Sequence, residues 1–226
     1  MQIMKQLAKI SGISYLLIFL FGFYANFAVL ESLIDPNSPT ITATNFLNTH
    51  GQFRYGLIGF ALMLIFDLIL VWSLFGLTKP TNKLRSYLAS IFRLLHALFF
   101  AVGLSKLWKI YQLTTPFRNT INVEDTITEL LASFDTLWTI GLTLFGVHLI
   151  ILGSLFLKSI KFPKVLGILL ILAGSTYIID GVAKLSLSNY LDYKDTFEII
   201  VILPTVIGEL SLTLWLLIKG FNKHPL

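Results

Sequence analysis

The chain contains no cysteine, which excludes disulfides, thiolate metal sites and a cysteine nucleophile, and leaves the redox compartment open. It is also poor in charge. Charged residues make up 13% of the 226 positions, against about 25% in an ordinary soluble domain. No Gly-rich phosphate loop occurs, no G-x-S-x-G elbow and no H-E-x-x-H pair, so the usual sequence marks of nucleotide, serine-hydrolase and zinc chemistry are missing. What fills the chain instead is Leu, Ile, Phe and Val, with 55% of residues hydrophobic. Several apolar runs reach about 20 residues, the length that crosses a bilayer. A soluble protein of this size would have to hide all of them in one core, so the membrane is the better solvent.

Six spans are expected, near 11–31, 53–77, 84–107, 136–157, 163–183 and 197–218. The fold class is all-α, a polytopic bundle forming a single integral membrane domain over 1–226. Two linkers, "TKPTNKLR" and "KSIKFPK", are short, basic and contain a proline, as tight turns between antiparallel helices should. The net charge of +5 would suggest nucleic acid in a soluble chain; here it sits in short loops and reports orientation. Lys5, Lys9, Lys79, Lys83, Arg85, Lys158, Lys161, Lys164, Lys219 and Lys223 fall on one side, with no acid among them. Arg54, Lys106, Lys109, Arg118, Lys184 and Lys194 fall on the other, diluted by nine acids. Short loops rich in Lys and Arg stay cytoplasmic, so both termini are expected inside, in a plasma membrane. A cleaved signal peptide at "ISYLLIFLFGFY" is the rival reading, but no small-x-small cleavage site follows it.

Three further features bear on packing. "TINVEDTITELLASF" reads as a short amphipathic helix capped near Asn122 on the outer surface. Trp72, Trp108, Trp138 and Trp215 read as interface anchors, while His50 and His224 read as solvent-exposed. Gly167, Gly174 and Gly181 stand at heptad spacing, a packing stripe. The two central hairpins also share a weak pattern: Phe53-Arg54 and Phe134-Asp135 each precede an ionisable group, Asp67 and His148, by the same interval.

The ionisable groups inside the spans are the candidate site. Asp at a helix centre costs roughly 2.5–3.5 kcal/mol, while each Leu, Ile, Phe or Val returns about 0.3–0.6. Residues 57–75 hold thirteen of those four types, so the second span inserts by about 1–5 kcal/mol despite Asp67. The third, with Arg93 and His96 among ten such residues, balances near zero and depends on a partner. Asp67, Arg93, His148 and Glu209 each lie about 14 Å from the cytoplasmic ends of their helices, near the midplane of a hydrocarbon layer about 30 Å thick. Four helices placing ionisable groups at one level implies convergence, with Arg93 bridging one or both carboxylates and His148 close by. Thr205, Glu209 and Thr213 form a polar stripe after Pro204, whose ring interrupts the helix ladder. Gly56 shares a direction with Asp67, and Gly141 with His148. Tyr15, Gly22 and Asn26 share a face of the first span, and Asp180 sits high beside Tyr177.

Three functions are open to such a cluster. In a small transporter or ligand-binding bundle, Arg93 would hold an anionic group while His148 with Glu209 or Asp67 exchanges a proton; one cation beside two carboxylates leaves excess negative charge. In a structural or accessory protein, the pair simply fixes helix register, since polar contacts between membrane helices average about 0.6 kcal/mol. In a metal-dependent intramembrane hydrolase, Asp67, His96, His148 and Glu209 supply zinc-type ligands without a recognised motif; no metal site and no cofactor is assigned. Binding or proton-exchange candidates are thus Asp67, Arg93, His96, His148 and Glu209, with Asn26, Arg54, Asp135 and Asp180 secondary. Expected partners are membrane lipids and an unidentified small molecule or ion, with a homo-oligomer open and nothing to recognise nucleic acid.

The ordered segments "GISYLLIFLFG", "FRYGL", "KPTN", "FRLLHA", "FGVHLIILG", "FPKVLGILLILAGSTYIIDG" and "LPTVIGELSLTLWLLIKG" resemble the prokaryotic membrane family catalogued as domain of unknown function 4386. The resemblance runs from about Ile10 to Gly220 and rests on several motifs together. It implies a small multi-pass membrane protein of unassigned role and supplies no catalytic residue. Arg54, Asp67, Arg93, His148, Asp180 and Glu209 stand within the matching segments.

The absence of native cysteine makes the orientation directly testable. Single Thr81→Cys and Ser159→Cys variants should resist a membrane-impermeant maleimide in intact cells and react after permeabilisation. Asn189→Cys should react in both; the reverse pattern would invert the assignment.

Overall fold

The computed structural model describes residues 2–115 and 123–222; Arg118, the expected cap Asn122 and His224 lie outside the described residues. Two helices begin at side-chain caps. The Asn82 side chain accepts from the Arg85 amide at 2.9 Å and opens α5, Lys83–Leu113. Ser38 accepts from the Ile41 amide at 3.2 Å and, with Pro39 next to it, opens α3, Pro39–Asn48. The remaining helices are α1 (Gln2–Phe23), α2 (Glu31–Leu33), α4 (His50–Thr78), α6 (Val123–Lys158), α7 (Lys164–Ser186) and α8 (Lys194–Phe221). A π-helical segment, Tyr24–Leu30, joins α1 to α2, and a 3-10 turn, Tyr190–Tyr193, precedes α8. No strand occurs among the described residues.

Six of these units are long and apolar enough to cross a membrane: Gln2–Leu33, His50–Thr78, Lys83–Leu113, Val123–Lys158, Lys164–Ser186 and Tyr190–Phe221. They correspond to the six expected spans but run further at most ends, because a capped helix continues past the hydrocarbon until its ladder is terminated. The expected separate amphipathic helix is not seen. From Val123 onward its residues are the first turns of α6, 36 residues long. Nor does Pro204 break α8, which is continuous from Lys194 to Phe221.

The spans form a ring in chain order. α1 packs on α4, α4 on α5, α5 on α6, α6 on α7, α7 on α8, and α8 closes on α1. Two apolar clusters fill it. One, toward the lysine-rich end, joins Leu7, Leu74, Phe156, Leu170 and Leu216; the other joins Val29, Phe46, Phe60, Phe100 and Ile127. The second draws nothing from α7 or α8. Its lid is α3, which sequence reading left as loop: Phe46 meets Phe53 edge-on at 4.8 Å and Thr40 donates to Glu124 at 2.9 Å. Trp72 and Trp108 are exposed as anchors should be. Trp138 is different: it packs against Phe100 at 5.0 Å and Phe134 at 5.9 Å inside the bundle. Trp215 is half-buried and packs on Phe162 at 5.2 Å.

The tightest interface is α6 on α7. A Cβ built on Gly146 would lie 2.6 Å from the Gly174 carbonyl oxygen, and one on Gly153 2.5 Å from that of Gly167. The heptad stripe on α7 therefore has a matching pair on α6, and the two backbones touch where side chains would separate them. Gly146→Val should force the helices apart and destabilise the detergent-solubilised protein by about 1–3 kcal/mol or more. Gly51→Ala, where no atom lies within 4 Å of the new Cβ, should leave the melting temperature in place.

Candidate functional site

Between the two apolar clusters lies a polar layer centred on Arg93, which is 1% exposed. α5 carries Arg93 inward because its buried stripe runs Ser86, Ala89, Arg93, His96, Ala97 and Phe100, the spacing of one helix face. Its Nη2 donates to Asp67 Oδ1 on α4 at 2.5 Å. Its Nη1 donates to the Tyr15 hydroxyl on α1 at 3.0 Å and reaches His148 Nε2 on α6 at 3.2 Å. The guanidinium also stacks between two rings, with Cζ 5.0 Å from the Tyr15 centroid and 5.1 Å from that of Phe145, a second source of cation stabilisation. One side chain thus ties four helices.

The tautomer of His148 follows from its partners. Its Nδ1 lies 2.8 Å from the Ala89 carbonyl, which can only accept, and its Nε2 faces Arg93, which can only donate. His148 is therefore the neutral Nδ1–H form, held on both nitrogens. His96 Nε2 sits 3.8 Å from Asp67 Oδ2, with its ring against Phe145 at 5.1 Å and its Nδ1 beside Gly141, where a Cβ would come within 3.2 Å. Gly141, buried on the same face of α6 as His148, thus makes room for His96. Three buried polar atoms of the layer make no hydrogen bond: Asp67 Oδ2, Arg93 Nε and His96 Nδ1.

Glu209 stands apart from this hub. It is half-buried midway along α8 and accepts from the Tyr177 hydroxyl on α7 at 3.1 Å. Among the described residues no Lys, Arg or His comes within 4.0 Å of it, so Arg93 bridges Asp67 alone. Its stripe neighbours turn inward on their own helix, Thr205 donating to the Val201 carbonyl at 2.8 Å and Thr213 to that of Glu209 at 2.7 Å. The first eleven residues of α8, Lys194 to Pro204, include none that is buried. Phe197, Val201 and Pro204 of this half are part-buried, and Phe197 stacks on Tyr190 at 5.3 Å.

The secondary candidates are dispersed. Asn26 donates to Glu31 at 2.7 Å, Lys184 to exposed Asp135 at 2.6 Å, and Tyr190 to Asp180 at 2.7 Å. Exposed Arg54 lies over Tyr55 at 5.3 Å. Asp180 and Tyr177, expected side by side, serve different partners. His50 is not free in solvent: it is half-buried, stacked on Tyr111 at 4.1 Å and 3.2 Å from Thr114 Oγ1. No group of three or more His, Asp or Glu residues is placed to hold a metal among the described residues. Sequence reading missed Tyr15 and Tyr177 as polar partners; the signal was a tyrosine deep within a span, away from either boundary.

Comparison with known proteins gives the same extent as the motifs. A family model described as domain of unknown function (DUF4386) matches residues 10–220. An "Uncharacterized protein" of Archaeoglobus fulgidus is 31% identical over 166 residues, covering 74% of this chain and 84% of its own. No solved structure matches.

Removing one member of a buried ion pair strands the other, at a cost of about 3–5 kcal/mol. Arg93→Leu should therefore unfold the bundle in mild detergent, and Arg93→Leu with Asp67→Leu should recover most of the loss. Adding Glu209→Gln instead should recover little. Equal rescue by both second changes would contradict the separation of Glu209 from the hub.

Proposed function

The chain belongs to the DUF4386 family, and from its own geometry we propose that it is a small proton-exchanging carrier or ligand-binding bundle of the plasma membrane. The polar layer divides into a fixed half and a free half. The fixed half is Arg93 with Asp67, Tyr15 and His148, in which every partner comes from a different helix. The free half is Glu209, half-buried midway along α8, with a tyrosine for company and no cation within ion-pair distance among the described residues.

That second half carries the reading. A carboxylate in hydrocarbon needs a counter-charge or a proton, and Glu209 has no built-in counter-charge. Its charge is therefore open to exchange. His148 does not share this freedom, because a proton on Nε2 would break its bond to Arg93, and a proton on Asp67 would remove the charge that neutralises Arg93. His96 lies 3.8 Å from the second oxygen of Asp67. The lock formed by Arg93 also supports the alternative, a structural or accessory protein, in which Glu209 is a hydrogen-bonded acid and nothing more.

The two readings diverge in a labelling experiment. Dicyclohexylcarbodiimide partitions into membranes and adds across the O–H of a protonated carboxylic acid. Glu209 should be modified, as read by peptide mass spectrometry, with a rate that falls as pH rises, while Asp67 stays unmodified. A Glu209 that remains unlabelled throughout, in folded protein, would overturn the carrier reading.

A further inference from the structure

At the lysine-rich end of the bundle a groove of about 370 Å³ runs between α1 and α4. We infer that it binds an anionic phospholipid, with an acyl chain along the groove and the phosphate at Lys79. The site is separate from Glu209 and does not depend on its chemistry. α4 contributes Trp72, Phe75, Gly76 and Lys79, and α1 contributes Ile3, Gln6, Leu7 and Ile10. Both sets follow the i, i+3, i+4, i+7 spacing of one helix face, so two continuous faces line the groove. Its floor is closed, because Leu7 is buried and a Cβ on Gly76 would lie 2.7 Å from Leu7 Cδ1. Its rim is open, with Ile3, Ile10 and Trp72 exposed and Phe75 half-buried. Trp72 stands seven residues before Lys79, and Ile10 seven after Ile3. The groove therefore extends about 10 Å along the helices from its charged end.

Its charge selects the ligand. Lys79 is exposed and makes no ion pair among the described residues; its Nζ rests 5.8 Å from the Phe75 ring centroid. Gln6 is exposed beside it as a second donor. No carboxylate opposes an incoming anion. α1 and α5 carry none. The one on α4 is Asp67, about 18 Å along the helix from Lys79 and bound to Arg93. A lipophilic cation would meet only charge of its own sign here. A zwitterionic lipid brings its own cation, for which these helices offer no acidic partner. A free phosphate ion would leave the apolar floor and rim unused. An anion joined to a long chain uses both parts, as acidic lipid headgroups do at basic pockets between membrane helices.

Brominated acyl chains quench the fluorescence of a tryptophan they touch, and Trp72 lines the groove. In phosphatidylcholine vesicles, brominated phosphatidylglycerol should quench Trp72 with an affinity about fivefold above that of brominated phosphatidylcholine, the factor that one lysine contributes at an anionic surface. Trp72→Phe should remove this excess quenching. Lys79→Gln should bring the two lipids to equal affinity, while Lys83→Gln, exposed outside the groove, should retain the preference. All three side chains are exposed, so the variants should keep native melting behaviour. Added glycerol phosphate should not relieve the quenching. Equal quenching by both lipids, or a preference that survives Lys79→Gln, would reduce the groove to ordinary lipid-facing surface and overturn the inference. Relief by glycerol phosphate would show a headgroup contact without a seated chain and would overturn it too. So would a Trp72 that neither lipid quenches, the result expected if a second copy of the chain covers the groove.

Discussion

An unpaired charge cannot be left in hydrocarbon, and the structure is organised around that constraint. Arg93 would make α5 a marginal span by itself; with Asp67, Tyr15 and His148 around it, the same residue becomes the point at which four helices are joined. The two apolar clusters need only fill space above and below. Their side chains are interchangeable in kind, whereas the hub has a definite donor and acceptor for nearly every position. It sets which helix face looks inward and at what height.

Height was the part of the site that could be read from sequence, because depth follows from counting residues at a fixed rise. Direction could not. Glu209 sits at the level of Arg93 yet accepts from Tyr177 on the neighbouring helix, since depth along α8 says nothing about rotation around the ring. Gly141 and His148 do share the buried face of α6, but that the ring packed against Gly141 is His96 could not be read from spacing. Tryptophan was read by its preference for the membrane boundary, which placed Trp138 outside a core it helps to build; the bundle-facing side of Tyr15 was legible, but not its bond to Arg93. The α3 lid was legible in principle: Ser38 followed by Pro39 is a helix start, but ten residues in a presumed loop were too few for periodicity to speak. The π segment at Tyr24–Leu30 has no sequence signature by which to find it.

The glycine pairs give the ring unequal stiffness. α6 and α7 approach with backbones in contact at Gly146–Gly174 and Gly153–Gly167, while α8 meets α7 through Gly208 near its middle and leaves its first half unpacked. Closely and loosely packed sectors therefore sit side by side, with Glu209 next to Gly208 where the packed half of α8 begins.

The ring's agreement with chain order has a consequence for biogenesis. Tyr15, Asp67, Arg93 and His148 emerge from the ribosome in that sequence, so the acceptor on α4 already waits in the bilayer when the arginine of α5 arrives. The hub is complete once the fourth span is made. The last two helices are added to a finished nucleus, and the final one, arriving when every buried charge but its own is satisfied, is free to stay partly detached.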